Sequence, residues 1–319
     1  MGDLNHLTFN SSMQSNKKER LALVLKGMAM GAADIVPGVS GGTIALIAGI
    51  YQEFVDALKS FSSVLGVIKN DGLKAAWKHV NGSFLVTLFT GIVISLLGLV
   101  QLIKYALINH PILLWSFFFG LILASCFFVG KMVSKWNFAS ILALIFGTAL
   151  IYYVTTFSPA ETTTAPWFVF ISGMLAICAM ILPGISGSFI LVLLGKYKYI
   201  IESLSELNLS VIITFAAGCV VGLLSFSHLL SWMLKKHHNF SMALLTGFMI
   251  GSLNKIWPWK NTLEWGVDRH GEKMAILQEN VLPQNLIGDP QLISAILLAL
   301  FGAVLIILLE LTAKQKSDS

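Results

Sequence analysis

Charge is what this chain has least of. Only 12% of its 319 residues are Asp, Glu, Lys or Arg, and 56% are apolar, whereas a soluble domain carries about 25% charged residues. Long apolar runs recur along the whole length, so the class is an all-α polytopic membrane protein. Arginine is almost missing, occurring only at Arg20 and Arg269, which argues against a membrane phosphatase built on Arg clamps. The three cysteines, Cys126, Cys178 and Cys219, are isolated in apolar runs, so neither a disulfide framework nor a structural zinc site is supported. No Walker motif and no HExxH is present, and His237–His238 has no second ligand cluster. Transport would therefore draw on a gradient rather than ATP, and no metal or cofactor is expected. The net charge of +5 is assigned to Lys in cytoplasmic loops rather than to nucleic-acid binding. The start of the chain looks briefly like a signal peptide, but Lys26 interrupts its apolar core, so cleavage is not expected.

Uninterrupted apolar segments predict spans over 84–107, 112–133, 138–157, 211–234, 240–256 and 292–311. Two further regions, 21–58 and 167–204, are apolar for long enough to enter the bilayer twice, and each is broken near its centre by Pro-Gly. The first limb, Leu21–Val36, is short for a span of about 20 residues. Lys17, Lys18 and Arg20 precede the first broken region and Lys59, Lys69, Lys74 and Lys78 follow it. A single crossing would put one cluster outside. With both inside, Lys131, Lys135, Lys235, Lys236, Lys314 and Lys316 also fall inside. The positive-inside rule thus favours cytoplasmic termini, with the broken region either a re-entrant hairpin or a paired crossing. The mixed-charge segment 255–290 becomes an extracytoplasmic loop, and Lys196 and Lys198 fall on the outer side.

The second broken region, "MILPGISGSFILVLLGKY", lies over "DIVPGVSGGTIALIAGIY" without a gap at an offset of 146, and nine of 25 positions from Asp34 to Leu58 are identical. "GIVISLLGLVQLI" then faces "GCVVGLLSFSHLL", "GLILAS" faces "GFMIGS", and "ILALIFG" faces "ILLALFG". The chain reads as a tail (1–20), repeat 1 (21–157), repeat 2 (158–311) and a second tail (312–319). Each repeat is one broken region plus three spans. Either reading of the broken region gives an odd number of crossings per repeat, so the two copies would be inverted. Inverted repeats with discontinuous helices are a transporter signature.

The broken motif suits an anion. Pro37 and Pro183 interrupt a helix, and Gly38 and Gly184 permit a reversal. After the turn, Ser40 or Thr43 can cap a new helix whose first N–H groups lack internal partners, and Gly41 and Gly42 let a bulky anion approach the backbone. Ser186, Gly187 and Ser188 repeat the device. The plainer alternative is close helix packing through small residues, as in Gly27–Gly31. Asp34 stands one turn before the first reversal and has Met180 as its counterpart. An intramembrane acid is a candidate for proton coupling, against a structural role capping the turn. Lys26 could pair with Asp34, attract substrate or snorkel to the surface. Lys196 and Lys198 could attract a phosphate headgroup or serve as interfacial anchors. Glu53, Asp56, Glu202 and Glu206 read as solvated helix ends.

"KGMAMGAADIVPGVSGGTIALIAGIY" and "LPGISGSFILVLLGKY" resemble the paired signatures of the bacterial polyprenyl-phosphate translocase family, over about residues 20–311. The resemblance implies a bacterial cell-membrane flippase. Its partner would be undecaprenyl phosphate, returned from the outer to the inner leaflet for peptidoglycan or teichoic-acid assembly. Two rivals remain at this stage: a secondary transporter of a small soluble anion using the same helix ends, and an intramembrane enzyme acting on a prenyl phosphate. No nucleophile–base or metal set supports the second.

Overall fold

The computed structural model describes residues 3–36, 39–157, 162–267 and 273–317, with side chains over 17–36, 39–103, 105–157, 162–263 and 278–308. The protein is mostly helical. A long helix α1 (Asp3–Ile35) leads into two short ones, α2 (Gly41–Ile47) and α3 (Tyr51–Ser60). After α4 (Val64–His79) come the long helices α5 (Gly82–Asn109), α6 (Pro111–Lys131) and α7 (Phe138–Thr156). The second half runs α8 (Pro166–Ile181), α9 (Gly187–Leu193), α10 (Tyr197–Ser205), α11 (Leu209–Lys236), α12 (His238–Ser252) and α13 (Leu292–Ser317). Helices α5, α6, α7 and α11 are each long and apolar enough to cross a membrane, and α8 and Leu292–Leu308 of α13 are shorter apolar helices. The chain is a multi-pass membrane protein.

Local chemistry sets the boundaries. Pro111 and Pro166 occupy first-turn positions of α6 and α8, where the missing N–H costs nothing. Asn137 caps α7 by accepting from the Ser140 N–H at 2.8 Å. Gly49 (φ 71°) ends α2 and Gly195 (φ 60°) ends α9, in the left-handed region that glycine tolerates. Both second limbs therefore break at the same place in the two motifs.

Three features depart from the all-α expectation or its boundaries. Residues 260–280 hold an antiparallel pair, β1 (Lys260–Val267) and β2 (Lys273–Asn280), joined in register from Lys260↔Asn280 to Val267↔Lys273. This loop lies outside the apolar spans, where strand pairing satisfies its backbone. Helix α12 ends at Ser252, short of the expected 256. Helix α1 reaches back to Asp3, but the added turns are polar and include Lys17, Lys18 and Arg20, so the apolar limb itself is no longer than expected. The 33 residues of α1 span about 50 Å at 1.5 Å per residue.

Glycines lock the helices together in four pairs. A Cβ on Gly27 would lie 2.2 Å from the Leu88 carbonyl oxygen, and one on Gly91 would lie 2.1 Å from that of Val24, which welds α1 to α5. By the same measure, a Cβ on Gly173 would lie 2.4 Å from the Phe215 carbonyl oxygen and one on Gly218 2.0 Å from that of Phe170, joining α8 to α11. A Cβ on Gly120 would lie 1.9 Å from the Ala299 oxygen and one on Gly302 2.2 Å from that of Phe117, joining α6 to α13. A Cβ on Gly247 would lie 2.3 Å from the Leu144 oxygen and one on Gly147 2.7 Å from that of Leu244, joining α12 to α7. In every pair, each glycine faces the carbonyl three residues before the opposite glycine. Such contacts let backbones approach closely where lipid gives no hydrophobic drive to association. The contacts also fix direction. Gly27 sits on Leu88 and Gly31 on Ile92, so α1 and α5 run parallel; Gly218 sits on Phe170 and Gly222 on Met174, so α8 and α11 do too.

Candidate functional site

The two broken motifs meet. Ser40 and Thr43 are fully buried and lie against the segment entering the second motif. The Ser40 hydroxyl is 3.0 Å from the Leu182 carbonyl and 3.3 Å from that of Met180, so its one proton is shared. Thr43 Oγ1 accepts from the Gly184 N–H at 2.9 Å. Tyr51, also buried, donates its hydroxyl to the Ile181 carbonyl at 3.2 Å. Gly42 makes the fit possible, because a Cβ there would lie 2.3 Å from the Ile181 oxygen. Gly184 (φ 86°) in turn rests on α12, 2.9 Å from the Phe248 carbonyl by the same measure. Buried Pro183 completes this turn; Pro37 and Gly38 lie outside the described residues.

The donors expected to hold a phosphate are differently disposed in the two copies. In the first, all three N–H groups opening α2 are engaged. The Gly41 N–H donates to Asp34 Oδ1 at 2.7 Å, the Gly42 N–H to Ser40 Oγ at 3.0 Å, and the Thr43 N–H to the Ser40 carbonyl at 2.9 Å. Asp34 thus stands where an anion was expected: a carboxylate on a helix opening is favoured for the same reasons a phosphate is. In the second copy Ser186 caps α9 by accepting from the Phe189 N–H at 3.2 Å. Ser188 is exposed, with its hydroxyl 3.2 Å from that of Ser186. Among the described residues no hydrogen bond engages the N–H of Gly187 or Ser188. With Met180 in place of Asp34, this opening has no carboxylate of its own one turn before the break.

The carbonyl ends of the short helices carry cations. Lys26 donates to the Ala48 carbonyl at 2.6 Å. At the matching position, the Leu194 carbonyl accepts from the Thr162 hydroxyl, and the Thr162 carbonyl accepts from Lys196 Nζ at 2.8 Å. Lys196 is only 2% exposed, with its ammonium near the rings of Phe168 and Tyr199. Buried and bonded in this way, it is not displayed at the surface for headgroup attraction. Lys198 is exposed and lies 3.7 Å from Glu202.

At the end of α11, Lys235 binds Asp56 at 2.9 Å, and Ser231 donates to the same carboxylate at 2.7 Å. Asp56 is therefore a clasp between α3 and α11 rather than a bare solvated end. Beside it, Gly49, Gln52, Glu53, His79 and Asn81 line a cleft of about 490 Å³. Among the described residues, no group of His, Cys, Asp or Glu side chains is placed to hold a metal.

Sequence reasoning missed Tyr51 as part of the joint, although its place in a doubled motif was a signal. It also missed the "KIWPWK" run at residues 255–260. There Lys260 Nζ lies 4.3 Å from the Trp115 ring centre, and Lys255 Nζ 4.8 Å from that of Phe189. Burial, and Lys255 beside it, push the Lys260 ammonium down to about 7.

Residues 30–274 match the model of the VCA0040-like family, described as undecaprenyl phosphate translocase-like. A polyprenyl-phosphate transporter of Vibrio cholerae is 45% identical over 300 residues, covering 92% of this chain and 97% of that protein. A polyprenyl-phosphate transporter of Staphylococcus aureus is 33% identical over 253 residues, covering 74% of this chain and 85% of that one. No solved structure matches. With three quarters of its length under one family model and both relatives named as transporters, the chain belongs to the undecaprenyl phosphate translocase-like family.

Proposed function

We propose that this protein carries polyprenyl phosphate, undecaprenyl phosphate in particular, from the outer to the inner leaflet of a bacterial cell membrane. The returned carrier would serve another round of envelope polymer assembly. The architecture we propose is two inverted repeats, each a re-entrant hairpin (α1–α3, α8–α10) followed by three spans, with both termini in the cytoplasm. The parallel course of α1 and α5, and of α8 and α11, supports a broken region that returns to its starting side, as a re-entrant hairpin or a paired crossing does and a single crossing does not. The four glycine joints support the duplication. Gly27·Gly91 and Gly173·Gly218 fall at matching positions within the repeats, and Gly120·Gly302 and Gly247·Gly147 are exchanged between them.

The observation that carries the functional reading is the Asp34 carboxylate on the Gly41 N–H. The chain holds an anion of its own at the opening where the phosphate is proposed to bind. Protonation of Asp34 removes its charge and weakens a charge-assisted bond, leaving Ser40–Thr43 available to the phosphate once the joint loosens. Departure of the phosphate lets the carboxylate return. Proton movement and phosphate movement are then coupled by competition for one set of donors, while Ser186–Ser188 offers the second set. Most of the prenyl tail stays on the lipid side, so only the charged group needs a polar protein path across the hydrocarbon.

The test is leaflet exchange of labelled undecaprenyl phosphate in vesicles containing the protein, under an imposed pH gradient and with inorganic phosphate as competitor. Protein-dependent exchange that follows the gradient is expected, with little competition by inorganic phosphate. Exchange by Asp34→Asn should continue downhill but no longer respond to the gradient. Absence of exchange by the wild type sinks the translocase reading; undiminished gradient dependence in Asp34→Asn sinks the coupling role.

A further inference from the structure

Away from the hairpin joint, an apolar cavity of about 550 Å³ lies between α6 and α13, within the roughly 300–1,000 Å³ of ordinary ligand sites. Gly120, Leu123, Phe127, Ala299 and Ala303 line it. Leu123 and Phe127, and Leu300 opposite, are exposed on the side that faces lipid, so the cavity is a groove open sideways. Trp257, Pro258 and Trp259 close one end. Both indoles are fixed, Trp257 Nε1 donating to the Val281 carbonyl and Trp259 Nε1 to that of Pro290, each at 2.9 Å. Their rings stand edge to face 5.4 Å apart, with Phe119 5.5 Å from Trp257. Tryptophans at this position mark the headgroup level of a bilayer.

Lys255 and Lys260 flank this clamp. Lys260 is partly buried and donates to the Lys255 carbonyl at 2.5 Å. Among the described residues, neither ammonium has a carboxylate within salt-bridge distance. A lysine that merely anchors a protein at the interface reaches into water; these two turn onto Trp115 and Phe189 instead. Ring faces stabilise a cation in part but do not neutralise two adjacent ones. An apolar groove open to lipid, capped by Trp257 and Trp259, with Lys255 and Lys260 next to them in sequence and without a carboxylate partner among the described residues, is complementary to a single-chain lipid with an anionic head.

We propose that Lys255 and Lys260 capture the phosphate of a polyprenyl phosphate while its first isoprene units lie in the α6–α13 groove beneath Trp257 and Trp259. The proposal rests on the translocase reading and adds to it a loading site distinct from the hairpin joint. The low proton affinity of Lys260 fits this use, since an arriving phosphate restores the charge that burial and Lys255 suppress. Lys255 lies against Phe189, the residue after Ser188, so the headgroup leaves the loading site next to the second motif.

The test uses the full chain in nanodiscs and measures binding of farnesyl phosphate, farnesol and inorganic phosphate. Wild type should bind farnesyl phosphate more tightly than either fragment. Lys255→Met with Lys260→Met should weaken farnesyl phosphate about tenfold or more, as loss of charge-assisted bonds does, and leave farnesol unchanged. Ala303→Phe, which fills the groove, should weaken both farnesyl compounds. Lys255→Arg with Lys260→Arg should keep the phosphate preference, and melting temperatures report whether each variant folds. An unchanged farnesyl phosphate affinity in the double Met variant overturns the site, as does equal competition by excess phosphatidylglycerol. Leaflet exchange separates the two readings. Wild-type exchange unaltered in the double Met variant overturns the loading site alone; no wild-type exchange overturns the translocase reading, whatever the binding result.

Discussion

Replacing Gly42 by alanine tests the hairpin joint. Its Cβ would sit 2.3 Å from the Ile181 carbonyl oxygen, so the two segments have to part by about 1 Å to reach ordinary contact. Three bonds cross the seam close by: Ser40 to Leu182 at 3.0 Å, Gly184 to Thr43 at 2.9 Å and Tyr51 to Ile181 at 3.2 Å. A shift of that size carries all three beyond hydrogen-bond range. At about 0.5–1.5 kcal/mol each, together with about 1–3 kcal/mol of overpacking strain, the closed joint loses about 2.5–7.5 kcal/mol. The rest of each half, held by its glycine welds, is untouched. The expected result is therefore a lower melting temperature in detergent together with freer access to the seam, read as faster labelling of a cysteine placed at Ser40 in the Gly42→Ala background. Wild-type stability combined with wild-type protection from labelling would refute the reasoning, because it would mean that the hairpins do not press on one another there.

The other predictions concern the frame and the outer loop. Gly120→Ala or Gly302→Ala should each cost about 1–3 kcal/mol, since the new methyl meets backbone at 1.9 or 2.2 Å. Gly98→Ala, with no atom within 4 Å, should be neutral or gain up to about 1 kcal/mol; equal melting temperatures for all three variants would contradict the packing. Lys260 binds its proton less well folded than unfolded, its affinity falling from 10.5 to about 7. The folded state is thus penalised in full below pH 7, and the penalty fades as pH rises from 7 to 10.5. The shift has a ceiling of roughly 5 kcal/mol, and partial exposure of the side chain brings this to about 2–4 kcal/mol. Lys260→Met should therefore raise the melting temperature of the lipid-free protein at pH 6 and flatten its dependence between pH 7 and 10; a parallel pH profile would refute the assignment.

The spans and the doubled break were legible because apolar runs of membrane length and a Pro-Gly interruption are properties of the linear sequence. The meeting of the two motifs was inferable from their duplication. What Asp34 does was not. Its spacing from the turn allows either a free acid or a cap, and only the folded turn brings its oxygen onto the Gly41 N–H. Lys196 looked like an interfacial cation because it falls on the outer side at the end of a broken apolar region; its ammonium is held by the carbonyl of Thr162, 34 residues earlier. Helix α4 and the β1–β2 pair lie in segments of mixed polarity, whose structure depends on what they pack against. Lys255–Lys260 escaped notice for a related reason: in sequence, Trp and Lys near a span read as ordinary anchors.

The cations at the carbonyl ends of the two short helices bear on leak. Any carrier that opens a polar route for a phosphate risks opening it to sodium ions and protons. Lys26 on the Ala48 carbonyl, and Lys196 behind the Leu194 carbonyl, put fixed positive charge where the helix dipoles would otherwise present an attractive negative end. A small cation is repelled at both places, whereas an anion meets unengaged donors at the opening of α9 and, at that of α2, donors held by Asp34. The same two lysines that brace the hairpins would thus disfavour uncoupled cation leak along the proposed phosphate route.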